Sequence, residues 1–143
     1  MKKTDLLVKM LMGDIENKTV LEVACGAADF SISASAYSNS VYCIDLDAGR
    51  ISGSLPEQVH FQIMDAAKME YADSTFDTII LYNAFSHVQS QWPGIERECK
   101  RVLKADGLLY VVGTWKLDTG FMAEVFGGNA KWRGEFLIAE IRK

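Results

Sequence analysis

Proline, histidine and cysteine are scarce in this 143-residue sequence, basic charge is not in excess, and no long apolar run interrupts it. Each shortage excludes something. With only Pro56 and Pro93, and no Ser/Gly-rich or low-complexity tract, there is no linker, and a single domain over residues 1–143 is expected. Cys25, Cys43 and Cys99 are odd in number and lack metal-ligand spacing. They read as reduced, mostly buried thiols of a cytoplasmic protein, and no metal site is expected. No segment approaches the roughly 20 apolar residues that span a bilayer, so no membrane partner is expected. The start, Met1-Lys2-Lys3 followed by an apolar stretch over 6–12, imitates a signal peptide. Lys9 interrupts that stretch and no small-residue cleavage site follows, so an amphipathic helix is expected instead. Fifteen basic against nineteen acidic residues give a formal charge of −4, without the basic face that nucleic acid requires.

What remains is an ordinary globular composition, 49% apolar and 24% charged, with enough chain for a real core. Short apolar runs alternate with helical stretches. Strands are expected over 19–24, 41–44, 59–64, 76–82, 108–115 and 136–141. Phe76-Asp77-Thr78-Ile79-Ile80-Leu81-Tyr82 is nearly continuous in apolar residues, the mark of a strand covered on both faces. A helix over 29–37 is weakened by its serines. A stronger one places Trp92, Ile95, Cys99, Val102 and Leu103 on one face, with Pro93 in its first turn. A third helix is expected over 119–126. Such alternation predicts an α/β, doubly wound, mostly parallel sheet, which binds ligands beyond the carboxyl ends of its strands.

Polar groups stand where those strands end. The first ends Glu22-Val23-Ala24-Cys25-Gly26-Ala27-Ala28-Asp29, a small-residue turn opening a helix. The second ends at Asp45, a carboxylate able to accept from both hydroxyls of a ribose. The third ends at Asp65-Ala66 and the fourth at Tyr82-Asn83-Ala84-Phe85. A dinucleotide fingerprint is disfavoured, because its third glycine falls on Asp29 and Glu22 has no place in it.

The ordered set resembles the class I S-adenosylmethionine-dependent methyltransferases, in particular the small type 11 group. The resemblance rests on Val20-Leu21-Glu22-Val23-Ala24-Cys25-Gly26-Ala27-Ala28, on Val41-Tyr42-Cys43-Ile44-Asp45-Leu46-Asp47 and on Asp65-Ala66. It continues through Phe76-Asp77-Thr78-Ile79-Ile80 and the passage Glu98 to Leu109. It implies a minimal Rossmann-like methyltransferase fold with S-adenosyl-L-methionine as cofactor and S-adenosyl-L-homocysteine as product. By resemblance, Glu22 and Cys25 are cofactor-binding, and Ala24, Gly26 and Ala28 form the turn beneath the methionine moiety. Asp45 takes the ribose, Leu46 the adenine face, Asp65 the adenine amine and Ala66 the ring edge. Asn83, with Tyr82 and Phe85, lies beside the sulfonium. The sequence departs from the pattern at Ala24 and Ala28, where glycines are usual; alanine there is expected to impose negative φ and to weaken cofactor binding. Val59 follows Asp45 by only fourteen positions, so the second helix is expected to shrink to a turn or two. The C-terminal hairpin is expected to be reduced unless a strand forms over 130–132.

Methyl transfer releases a neutral thioether and needs a base only when the acceptor carries a proton. His87 follows the fourth strand and is either that base or a loop-lining residue. Cys25, with no histidine partner, reads as a small buried residue rather than a nucleophile. Tyr82, Phe85 and Trp115 either face the sulfonium or belong to the core. Trp115, Phe121, Met122, Phe126 and Trp132 either cover a substrate pocket or fill the core under the last helix. The basic flank Arg97, Lys100, Arg101 and Lys104 reads as a solvated face. The expected partner is a small-molecule substrate. With no inserted cap, the pocket is expected to be open, closed by a few aromatics, or completed by another chain. An exposed apolar first helix would favour a homodimer. The other reading is a degenerate member that senses the cofactor or serves as a partner module.

Overall fold

The computed structural model describes residues 1–143. Its strands are β1 (Thr19–Val23), β2 (Ser40–Asp45), β3 (Val59–Ile63), β4 (Phe76–Tyr82), β5 (Leu103–Gly113), β6 (Ala130–Arg133) and β7 (Phe136–Arg142). The helices are α1 (Lys3–Met10), α2 (Asp29–Ala34), α3 (Phe85–Val88), α4 (Trp92–Val102) and α5 (Lys116–Phe126). One sheet holds all seven strands in the order β3-β2-β1-β4-β5-β7-β6. β1 to β5 are mutually parallel; β7 runs antiparallel to both β5 and β6. The chain builds outward from β1 through β2 to β3, then returns to set β4 on the other side of β1. That reversal opens a crevice at the carboxyl ends of β1 and β4.

Side chains alternate across the strands, as a two-residue repeat demands. Val20, Ile80, Tyr110 and Val112 meet Leu7, Val8 and Phe30 of α1 and α2. Leu21, Ile79, Leu81, Leu109 and Val111 meet Ile95 and Cys99 of α4 and Met122 of α5. Both faces are covered, which explains the nearly continuous apolar run in β4. Gly113 has no room for a side chain, since a Cβ there would lie 2.9 Å from Met122 Sδ and 3.2 Å from Asp118 Cβ. α5 therefore rides close on the end of β5. No helix is long and apolar enough to cross a membrane.

Several expectations are adjusted. α2 stops at Ala34 rather than 37, its serine-rich end passing into a turn in which Tyr37 and Ser38 both donate to the Ala34 carbonyl. Shortening of the second helix goes further than expected: no helix links β2 to β3, and an Asx turn in which Asp47 Oδ1 accepts from Gly49 N (2.8 Å) stands in its place. The C-terminal hairpin is present, with a four-residue β6 joined to β7 through Gly134, which adopts φ 60°. β5 begins at Leu103, before Gly107, with an irregular register against β4 between Phe76 and Thr78. The first helix is not an exposed apolar face. Leu7, Val8, Leu11 and Ile15 are buried in the core, so the surface on which a homodimer was premised is already covered within the chain.

Candidate functional site

A cavity of about 400 Å³ opens at the crevice, within the range of small-ligand sites. Its floor begins with the segment after β1. Ala24, Gly26 and Ala28 take φ of 55°, 55° and 63°, all left-handed. The expectation that alanine imposes negative φ is overturned: the glycine-type turn survives at a cost of roughly 1–2 kcal/mol for each alanine. Three backbone donors hold it there. Cys25 N reaches Ile44 O (3.0 Å), Ala28 N reaches Cys25 O (2.8 Å), and Gly26 N reaches Asp45 Oδ2 (2.8 Å).

Asp45 also accepts from Leu46 N through Oδ1 (2.7 Å). Each carboxylate oxygen keeps a second lone pair, so a diol remains within its capacity. Asp65 Oδ1 accepts from Ala67 N (2.9 Å), which turns the chain after β3. Glu22 is only 2% exposed, and its Oε1 accepts from Ser31 N (3.0 Å) and Ser31 Oγ (2.6 Å). Burial pushes its carboxyl up to about 8, against the opposing pull of Ser31. Cys25 is buried, and contact with Cys43 together with burial drives its thiol well above the ordinary range. It is not a thiolate nucleophile.

Asn83 adopts φ 50° at the end of β4. Its amide is bound to Thr114: Nδ2 donates to Thr114 Oγ1 (2.9 Å), while Thr114 N donates to Oδ1 (2.8 Å). The side chain thus ties β4 to the end of β5. The short α3 follows, with His87 exposed on the cavity wall. Ser86 N donates to the fully buried Asp118 of α5 (2.8 Å), which pins α3 in place. Trp115, 56% exposed, stands at the mouth.

Of the residues singled out in the sequence, Glu22, Ala24, Cys25, Gly26, Asp45, Leu46, Asp65, Ala66, Asn83 and His87 share this cavity. Two do not. Ala28 is fully buried behind the turn, where it caps α2. Phe85 is turned into the core by α3, its ring 5.2 Å from Trp92 and 5.3 Å from Phe126, centroid to centroid. Met122 and Phe126 also belong to the core, whereas Trp132 is exposed on β6. Arg101 leaves the solvated face to bind Glu98, Asp73 and the carbonyls of Met69 and Tyr71. Sequence reasoning gave no binding role to Asp29, at the end of the turn, or to Arg50 and Gln91, which belong to no motif; all three line the cavity.

A family model described as a methyltransferase domain matches residues 21–111. The chain belongs to the methyltransferase domain family. Phosphoethanolamine N-methyltransferase 1 of Triticum aestivum is 30% identical over 123 residues, covering 80% of this chain and 24% of that protein. Phosphoethanolamine N-methyltransferase 3 of Arabidopsis thaliana is 33% identical over 100 residues, 64% of this chain and 20% of that one. The chain therefore spans a quarter or less of the length of these curated relatives. Among solved structures, a SAM-dependent methyltransferase from Aquifex aeolicus superposes with a TM-score of 0.70 at 21% identity, covering 96% of this chain and 89% of its own.

The cofactor of this methyltransferase domain is S-adenosyl-L-methionine, and the residues present fit it. That molecule carries two cationic groups and one carboxylate, and the cavity is lined by the carboxyl groups of Glu22, Asp29, Asp45 and Asp65 with a single arginine. Gly26, without a Cβ, lets the Arg50 side chain lie directly against the middle of the turn.

Proposed function

We propose that this methyltransferase domain, residues 1–143 acting as a single unit in the cytoplasm, transfers a methyl group from S-adenosyl-L-methionine to a small-molecule acceptor. S-adenosyl-L-homocysteine is the product. The observation that carries the reading is the strand-end cavity, one ligand in size, whose lining by Asp29, Asp45 and Asp65 beside the buried Glu22 suits a doubly cationic cofactor. When bound, the cofactor would supply an activated methyl group on its sulfonium, with a neutral thioether as the leaving group for in-line attack by the acceptor. What the chain adds is position and exclusion of water.

The backbone of Ala24, Cys25 and Gly26 lies beneath the methionine part, with Glu22 behind it. Asp45 accepts from the ribose hydroxyls, Leu46 covers the adenine, and Asp65 and Ala66 meet the adenine edge. Asn83, fixed by Thr114, sets the floor beside Tyr82. His87 is the base when the acceptor carries a proton. The acidic balance of the chain supports a small molecule over a nucleic acid. The wheat and Arabidopsis relatives are named for phosphoethanolamine, which makes that amine the first acceptor to assay.

A second reading, a cofactor-sensing or partner module without catalysis, is favoured by the strained Ala24 and Ala28 and by the missing second helix. Calorimetry with S-adenosyl-L-homocysteine, paired with methyl-transfer assays, separates the two. Saturable binding by the wild type, abolished by Asp45→Ala, is the expected result. No binding at millimolar ligand overturns the proposal, and binding without transfer to any amine, hydroxyl or thiol acceptor selects the second reading.

A further inference from the structure

Arg50 follows the Asx turn after β2, outside every motif, and its side chain lies over the cofactor turn. A Cβ built on Gly26 would stand 2.7 Å from Arg50 Nη1 and 3.0 Å from its Cζ. The guanidinium therefore rests against the glycine, in space that a side chain at residue 26 would take. It is the only lysine or arginine lining the cavity. It is also uncommitted within the chain: none of the five ion pairs includes it, and every hydrogen bond donated by an arginine side chain comes from Arg101.

A free guanidinium on the wall of an otherwise acidic cavity calls for an anionic partner. The cofactor has one anion, the α-carboxylate at its methionine end, and that end lies on the turn that Arg50 overhangs. The planar fork of an arginine matches a carboxylate with two parallel N–H donors. We propose that Arg50 is the clamp for the amino-acid carboxylate of the cofactor, closing over Gly26 from the segment that a second helix would otherwise occupy. The inference rests on the cofactor placement above. In this arrangement the acidic side chains of Asp29 and Asp45 face the cationic groups while Arg50 fixes the opposite charge, so the methionine end is oriented as well as held.

The test compares two ligands on three proteins by calorimetry: S-adenosyl-L-homocysteine, which carries the carboxylate, and 5′-methylthioadenosine, which keeps the adenosine and thioether but lacks the amino-acid end. Arg50→Ala should weaken S-adenosyl-L-homocysteine roughly ten- to a hundredfold, the scale of a lost charge-assisted pair. It should leave 5′-methylthioadenosine within about twofold of wild type. Arg50→Lys, with its charge kept and its fork lost, should fall between. An equal loss for both ligands overturns the proposal, since Arg50 would then serve the adenosine half or the turn itself. A gain for both overturns it in favour of a side chain that merely blocks the cavity. If the wild type binds neither ligand, the cofactor placement fails, and the clamp with it. S-adenosyl-L-homocysteine binding that is insensitive to Arg50 removes the clamp alone.

Discussion

At residue 22, a carboxylic acid is enclosed where its charged form is disfavoured. The Glu22 carboxyl, 2% exposed and bonded only to Ser31, is raised by burial from an ordinary 4.5 to about 8. The folded state therefore binds a proton that the unfolded chain has already released. The stability this contributes is full below pH 4.5 and is lost as pH rises through about 8. Glu22→Gln keeps an acceptor for both Ser31 donors and removes the titration. It should melt like the wild type in acid and several degrees higher at alkaline pH. Thermal scans across that window check this, and parallel melting curves at every pH would contradict the burial account. His87 makes a separate claim at the same scale. His87→Ala should lower kcat about a hundredfold while leaving affinity for S-adenosyl-L-homocysteine unchanged, and unaltered turnover removes the base. The strand-end acids were legible because a carboxylate following an apolar run has few places to go. Arg50 was not legible, since its position depends on the path of an irregular segment. Phe85 follows a strand as Asn83 does, and only α3 decides that it turns inward.

Among the elements, α3 shows how much depends on a residue distant in sequence. The helix spans four residues, too few to hold itself, and carries His87. Its amide at Ser86 is received by Asp118 from α5, and Asp118 Oδ2 is buried without a partner. Asp118→Ala leaves that amide unsatisfied and should cost about 1–3 kcal/mol in urea unfolding. Asp118→Asn, which keeps the accepting oxygen, should recover most of it. A silent Asp118→Ala would mean that α3 is held by packing alone. Neither α3 nor β6 has enough residues for a periodic pattern, which is why both escaped sequence reading except as a condition on the hairpin. The second helix was legible in the opposite sense. Thirteen residues between the strands, with Gly49, Gly53 and Pro56 among them, left little room for it, and the structure leaves it out entirely.

On the scale of the whole molecule, the mostly parallel sheet and its two apolar layers follow from the alternation of strands and helices in the sequence, whereas the strand order comes from the structure. The condition set for a homodimer, an exposed apolar first helix, is not met because the face opposite α4 needs its own cover, and α1 with α2 supplies it. The antiparallel course of β7 has a practical consequence. It carries Lys143 to the rim of the sheet opposite the cavity, where the ammonium meets Ser74 Oγ (3.3 Å) and the Arg101 carbonyl (3.4 Å). A molecule tethered through that residue to a sensor chip stands with its ligand entrance toward the flowing solution. Immobilisation there should leave the cavity facing away from the surface.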